Sequence, residues 1–203
     1  LEHLFLDLGF APPSNAYRSK EDLNKPEITF PLRIMVCDSC WLVQTEDFVE
    51  ADTMFNKEYA YFSSTSKSWL EHASTFSNMI QKKLCLNHES MVVEIASNDG
   101  YLLRNFVGEN IPCLGIEPTD GTAMAAEKLG IPVQREFFGN QFADDLVAGG
   151  KQADLIIGNN VYAHIPDIND FTQGLKKLLK HNGTITLEFP QLLKLLQENQ
   201  FDT

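Results

Sequence analysis

Residues 91–100, Met91-Val92-Val93-Glu94-Ile95-Ala96-Ser97-Asn98-Asp99-Gly100, decide how the rest of the chain is read. An apolar run carrying one acid, ending in small and turn-forming residues, is the pattern of a buried strand entering a tight turn. The pattern repeats downstream. Residues 100–110 read as a helix, 113–118 as a second strand, 122–130 as a helix with a glycine stop, and 131–137 as a third strand. A helix over 142–150, a strand over 153–160, a helix over 168–180 closed by His181-Asn182-Gly183, and a strand over 183–189 follow. Five strands separated by helices predict an α/β fold, a parallel doubly wound sheet with helices on both faces.

Outward from this core the character changes. Residues 56–86 are helical in pattern, with Phe62, Trp69, His72, Ala73, Phe76, Met79 and Ile80 near 3.6-residue spacing. In the first 55 residues, 6–17 read as a loop broken by Pro12-Pro13, and 29–44 as two short strands around Cys37-Asp-Ser-Cys40. The expected organisation is a small unit over 1–55 and a larger domain over 56–203, which suits a length of 203 residues.

Sixteen basic against 28 acidic side chains give a net charge of −12, which disfavours binding to phosphate backbones. No apolar run approaches the roughly 20 residues of a membrane helix, and no signal-peptide pattern is present. Four cysteines are too few for a disulfide scaffold, so a cytoplasmic location is expected, with Cys85 and Cys113 as small core residues. Cys37 and Cys40 differ, because two thiols at this spacing on a turn can share one metal or one disulfide.

In a doubly wound sheet, ligands bind beyond the carboxyl ends of the strands. The turn after the first strand, with Glu94, Ala96, Ser97, Asn98 and Gly100, lets backbone approach a ligand and opens onto free helix N–H groups. Glu117, followed by Pro118, ends the second strand, where an acid can accept both hydroxyls of a ribose. Turn and acid together suggest an adenosine-containing cofactor. A dinucleotide site wants Gly-x-Gly-x-x-Gly against its pyrophosphate, and Ala96 and Asn98 stand where glycines belong, so NAD fits poorly. The turn alone also suits any doubly wound domain.

Several stretches resemble the deoxysugar C-methyltransferases, enzymes dependent on S-adenosylmethionine (SAM) that methylate a nucleotide-linked 4-keto sugar beside the ketone. They are VVEIASNDGYLL, LGIEP, FFG, GNNVYAHIPDINDF, LEFPQLL and QFDT, with LDLG, VCDSCWLVQ and YAYFSSTSKSW upstream. The resemblance implies a Rossmann-like class I methyltransferase core behind a zinc-ribbon-like β segment. It places Glu94, Ala96, Ser97, Asn98 and Gly100 at the methionine portion, Glu117 and Pro118 at the ribose, and Phe137 and Phe138 at the adenine. Asn159 and Asn160 would line the methionine end, with plain core packing as the other reading of the two phenylalanines.

The implied reaction removes a weakly acidic C–H beside a ketone and methylates the resulting enolate. His164 is the candidate to face the substrate, with a helix-entry or packing role as the alternative. Tyr59 and Tyr61, in a segment expected to fold over the substrate, are candidates to hydrogen-bond the ketone or else plain core. Zinc in this family uses two Cys pairs. Only Cys37 and Cys40 are present, so the expected site is incomplete unless His3 or a partner chain contributes. The family also carries a Tyr/His/Glu segment after QFDT, thought to hold the base, and then a further domain, so the chain reads as a fragment. Competing readings are a non-catalytic SAM-binding or docking module and a small-molecule O- or N-methyltransferase. The expected partner is a nucleotide sugar, with neither nucleic acid nor membrane, and the apolar 187–201 stretch is a candidate contact with a second copy.

Overall fold

A computed structural model describes residues 3–48, 55 and 61–200. The chain divides into two compact units, Leu1–Tyr61 and Phe62–Thr203.

The first unit is a three-stranded antiparallel sheet, β1 (His3–Ala11), β2 (Phe30–Val36) and β3 (Val43–Thr45), in the order β1-β2-β3. The β2–β3 pair matches the reading of 29–44, and the cysteine pair sits in the turn between them. β1 corrects the loop expected over 6–17, since the loop begins only after Ala11. Its pairing with β2 shifts register between Leu4 and Leu6 and again between Asp7 and Phe10, so side-chain alternation along it is broken.

The second unit holds a five-stranded parallel sheet. Its strands are β4 (Val92–Ile95), β5 (Cys113–Ile116), β6 (Val133–Gln134), β7 (Ala153–Asn159) and β8 (Leu179–Glu188), in the order β6-β5-β4-β7-β8. The parallel sheet predicted by the strand–helix alternation is therefore present. Its helices are α1 (Lys67–Leu84), α2 (Arg104–Gly108), α3 (Asp120–Lys128), α4 (Asn140–Ala148), α5 (Ile168–Leu178) and α6 (Leu192–Glu198).

Alternation along the strands splits the core in two. Val92, Cys113, Leu155 and Ile157 pack with Ala73 and Ile80 of α1, Phe106 of α2 and Ala126 of α3. Val93, Ile95, Leu114 and Ile156 pack with Ala143 and Leu146 of α4 and Phe171, Leu175 and Leu178 of α5. Helices therefore cover both faces.

Several boundaries move from the sequence reading. α1 begins at Lys67, where the Ser66 side chain accepts from the Trp69 N–H, behind a 3-10 turn over Ser63–Thr65. β6 keeps only two residues, because the next ones are charged and Arg135 turns to Asp120 and Glu127 at 3.5 and 2.7 Å. α5 stops at Leu178, and β8 already begins at Leu179, paired with Ala153, so His181-Asn182-Gly183 lie in an irregular strand rather than a helix cap. Among the described residues no helix is long and apolar enough to cross a membrane. Phe189, Leu192, Leu193 and Leu196 are exposed at the end of the described chain.

Candidate active site at the carboxyl ends of the central strands

β4 leaves the sheet through a turn built in glycine-like conformations. Ala96, Asn98 and Gly100 have φ of 56°, 49° and 78°. For the non-glycine residues this left-handed backbone carries a steric cost of about 1–2 kcal/mol each, so the turn is held by what surrounds it. Ala96→Gly should therefore raise stability by up to about 1 kcal/mol, read from the midpoint of chemical unfolding, and a loss would show that the alanine methyl is needed for packing.

The surrounding bonds are specific. Glu117, at the end of β5, is buried, and its Oε2 accepts from the Asn98 N–H at 2.9 Å. Its Oε1 accepts from the N–H and hydroxyl of Thr119 at 3.0 and 2.5 Å. From the other side, the Ser63 N–H donates to Asn98 Oδ1 at 2.9 Å and the Ser64 N–H to Asp99 Oδ2 at 3.0 Å. The segment before α1 and the acid after β5 thus clamp one turn. Gly115 on β5 lets Ser97 fit there, because a Cβ at that position would stand 2.5 Å from Ser97 Oγ.

Beneath the turn lies an acid in an unusual state. Glu94 shares the sheet face of Val92, is fully buried, and neither carboxylate oxygen has a hydrogen-bond partner. Burial, followed by repulsion from Glu117 and Asp99, holds its pKa well above the ordinary carboxylate range. Ser97 Oγ and Asp99 Oδ1 are likewise buried without partners. Unsatisfied buried acceptors cost about 1–3 kcal/mol each, so a cluster of them beside a strand-end turn suits a ligand that brings positive charge and hydrogen-bond donors. The sulfonium and ammonium of SAM have that character, and the residues present fit it.

The next strands complete the rim. Asn159, ending β7, donates from Nδ2 to the Tyr101 hydroxyl at 3.2 Å, joining β7 to the residue that follows the turn. Burial, and secondarily Glu94, keeps the Tyr101 phenol protonated by raising its pKa. Asn160 has φ of 50°, and its N–H donates to the Glu188 carbonyl at 2.7 Å. Glu188, ending β8, meets His72 of α1, with Oε2 2.8 Å from the ring Nε2. The His72 ring stacks on Trp69 with centroids 5.1 Å apart, and Trp69 leans on Tyr101 at 6.1 Å. Tyr101 and Glu188 were missed as site residues by the sequence reading, and Trp69 and His72 were assigned only to a helix face. The one signal for Glu188 was its place at a strand end.

Other candidate residues distribute differently. Phe138 is packed edge-on against Phe171 at 5.1 Å, whereas Phe137 is exposed beside an open cleft lined by Gly139, Asn140, Asp145 and Asp170. His164 lies in a 3-10 turn just past β7; its residue is solvent-exposed, yet the atoms packed about the ring lower its pKa below 6.5. Tyr59 lies outside the described residues, and Tyr61 belongs to the first unit. Pro118 directly follows Glu117 and leads into the Thr119 cap. A groove of about 810 Å³ lies at the amino ends of the strands, around Met91, Pro112, Gly150 and Lys180.

In the first unit, the N–H groups of Cys40 and Ser39 hold the Cys37 thiol below its ordinary pKa, which favours thiolate. His3 Nε2 lies 3.1 Å from Asp38 Oδ1, next to this turn. Two thiols are half of a structural zinc's ligand set, and among the described residues no group of three or more His, Cys, Asp or Glu is gathered for a metal. Among the described residues the donor set of this turn is therefore two thiols, short of the four protein ligands of a structural zinc.

Comparison with known proteins gives two family matches. Residues 1–55 match the family described as "Putative zinc binding domain", and residues 93–185 match the family described as "Methyltransferase domain". Over 198 residues the chain is 30% identical to the C-methyltransferase NovU of Streptomyces niveus, covering 98% of this chain and 47% of that one. The chain thus spans about half the length of this curated relative. Among solved structures, a SAM-dependent methyltransferase of Clostridium acetobutylicum ATCC 824 superimposes with a TM-score of 0.52 at 16% identity, over 64% of this chain and 54% of that one. One from Archaeoglobus fulgidus gives 0.51 at 14% identity, over 64% and 58%. At such identities the superpositions speak for the fold, a class I methyltransferase sheet. The chain thus carries a match to a methyltransferase domain over residues 93–185 and to a putative zinc binding domain over residues 1–55, and it is similar to a C-methyltransferase along almost all of its own length.

Proposed function

We propose that this chain forms the cofactor-binding part of an enzyme that methylates carbon, beside the ketone of a nucleotide-linked keto sugar. The observation that carries the reading is the 30% identity to a C-methyltransferase along 98% of the chain. The sugar substrate comes from the sequence resemblance and stands as part of the proposal.

SAM supplies an electrophilic methyl group on a positively charged sulfur. In this reading Ala96, Ser97, Asn98 and Gly100 give the backbone that approaches it, and Glu94 lies beneath as an acid that gives up its proton when the positive charge of SAM arrives. Glu117 already accepts three protein hydrogen bonds but keeps a lone pair for the ribose hydroxyls, since two carboxylate oxygens offer about four acceptor positions. Asn159 and Asn160 line the methionine end. Phe137, with its ring exposed beside a cleft, is the candidate for the adenine, whereas Phe138 serves the core. His164, just past β7, is the candidate to face the substrate, and the lowered pKa of its ring favours the neutral form.

The test is calorimetric titration with SAM, S-adenosylhomocysteine and NAD, followed by an assay of the full-length protein on a thymidine-diphosphate-linked 4-keto-6-deoxyhexose. SAM should bind and NAD should not, with methyl appearing on carbon. Glu117→Ala should weaken SAM by about 1–3 kcal/mol, the worth of a hydrogen bond to a charged group. Unchanged affinity would remove Glu117 from the ribose, and methyl transfer to oxygen or nitrogen would overturn the carbon assignment.

A further inference from the structure

We propose that His72, oriented by Glu188, is the group that hydrogen-bonds the substrate's ketone and stabilises its enolate. The proposal rests on the functional reading above. Neither residue is adjacent to the turn in sequence; they stand 116 positions apart, and the fold alone joins them.

Three observations locate the pair. Glu188 ends β8 directly opposite Asn159 of β7 in the strand register, and Asn159 bonds the Tyr101 hydroxyl beside the turn. The pair therefore continues the row of strand ends from the cofactor turn toward the sheet edge, where an acceptor must lie to meet the methyl group. The ring is fixed on two sides, by Glu188 at Nε2 and by stacking on Trp69, which in turn rests on Tyr101. Both side chains also remain accessible, at 49% and 38% of full exposure, as a group that must touch an incoming sugar requires.

With Nε2 bound to the carboxylate, Nδ1 is the nitrogen left for a ligand. In an imidazolium both nitrogens donate, so Nε2–H can hold Glu188 while Nδ1–H remains for a ligand. When a base takes the proton from the carbon beside the ketone, the C–H pair becomes the enolate C=C bond and the carbonyl pair moves onto oxygen. A fixed N–H donor at that oxygen is worth most at this moment. Glu188 acts through His72 and is a positioning residue. The ring is borne by a helix and held on two sides within the same unit as the turn.

Proton exchange tests this without the methyl donor. The full-length protein is incubated in deuterium oxide with a thymidine-diphosphate-linked 4-keto-6-deoxyhexose, and deuterium entering beside the ketone is followed by NMR. His72→Phe keeps a ring for Trp69 but removes the donor, and should slow exchange on the order of 100-fold, the usual effect of losing one such donor. His72→Asn restores a donor near Nδ1 and should recover part of the rate. Glu188→Gln should slow exchange less than His72→Phe while leaving the KM for the sugar unchanged. SAM affinity should be the same in all three, which also verifies folding. Wild-type exchange rates in His72→Phe would make the pair an ordinary surface ion pair and overturn the proposal. No exchange in the unmodified protein would instead overturn the keto-sugar reading, and this assignment with it.

Discussion

Gly100→Ala is expected to destabilise the protein by about 2–4 kcal/mol, combining overpacking with left-handed backbone strain. Its φ is 78°, and an added Cβ would collide with Ile131 Cδ1 and stand 3.1 Å from Ala126 Cβ, both in the core cluster under α3. Gly130 is the internal control. Its φ is 80°, but nothing lies within 4 Å of an added Cβ, so Gly130→Ala should cost only the backbone share, about 1 kcal/mol. Chemical denaturation of the two variants separates the terms. Equal losses would show that the turn is not tightly packed on α3, and would remove the steric reason for glycine at the end of the candidate cofactor turn.

Glu94→Gln should move stability and affinity in opposite directions. The folded chain holds a proton on Glu94 that the unfolded chain releases above about 4.5, the ordinary value. The folded state therefore binds more protons, and stability falls as pH rises from there until the folded-state pKa is passed. The slope is at most about 1.4 kcal/mol per pH unit. Gln imitates the protonated acid without this linkage, so the variant should unfold at higher denaturant than the parent near pH 8. It should also bind SAM more weakly by about 1.5–3 kcal/mol, because Gln cannot give up a proton to become a counter-charge for the arriving cation. Unfolding curves at several pH values and calorimetry check the two signs. An unchanged pH slope would mean that Glu94 is hydrated or partnered in solution.

What the sequence disclosed follows from where burial is one-dimensional. The apolar runs at 92–95, 113–116 and 153–159 are almost wholly buried, so hydrophobicity alone marks them as inner strands. β1 escaped notice for the converse reason: it is mostly exposed, contains Gly9 and runs into Pro12-Pro13, so composition reads as loop while pairing to β2 makes it a strand. The α5–β8 boundary was displaced because Asn182-Gly183 has the composition of a helix stop, whereas Leu179 is already claimed by Ala153. In the candidate site, the turn and Glu117 could be read because both lie at predicted strand ends. Joining His72 to Glu188, or separating Phe137 from Phe138, required knowing which chain segments become neighbours, and no local pattern carries that.

The strand order has a kinetic side. β4 pairs β5 after one short helical crossover, but its other neighbour, β7, arrives only after β5, α3, β6 and α4. Closing the longer loop costs more chain entropy and comes later in folding. The turn and Glu117 belong to the early pair, while Asn159 and Glu188 arrive with the late strands. The turn clamped by Glu117 is therefore expected to form before the strand ends that carry Asn159 and Glu188, so the site is completed only with the last strand of the sheet.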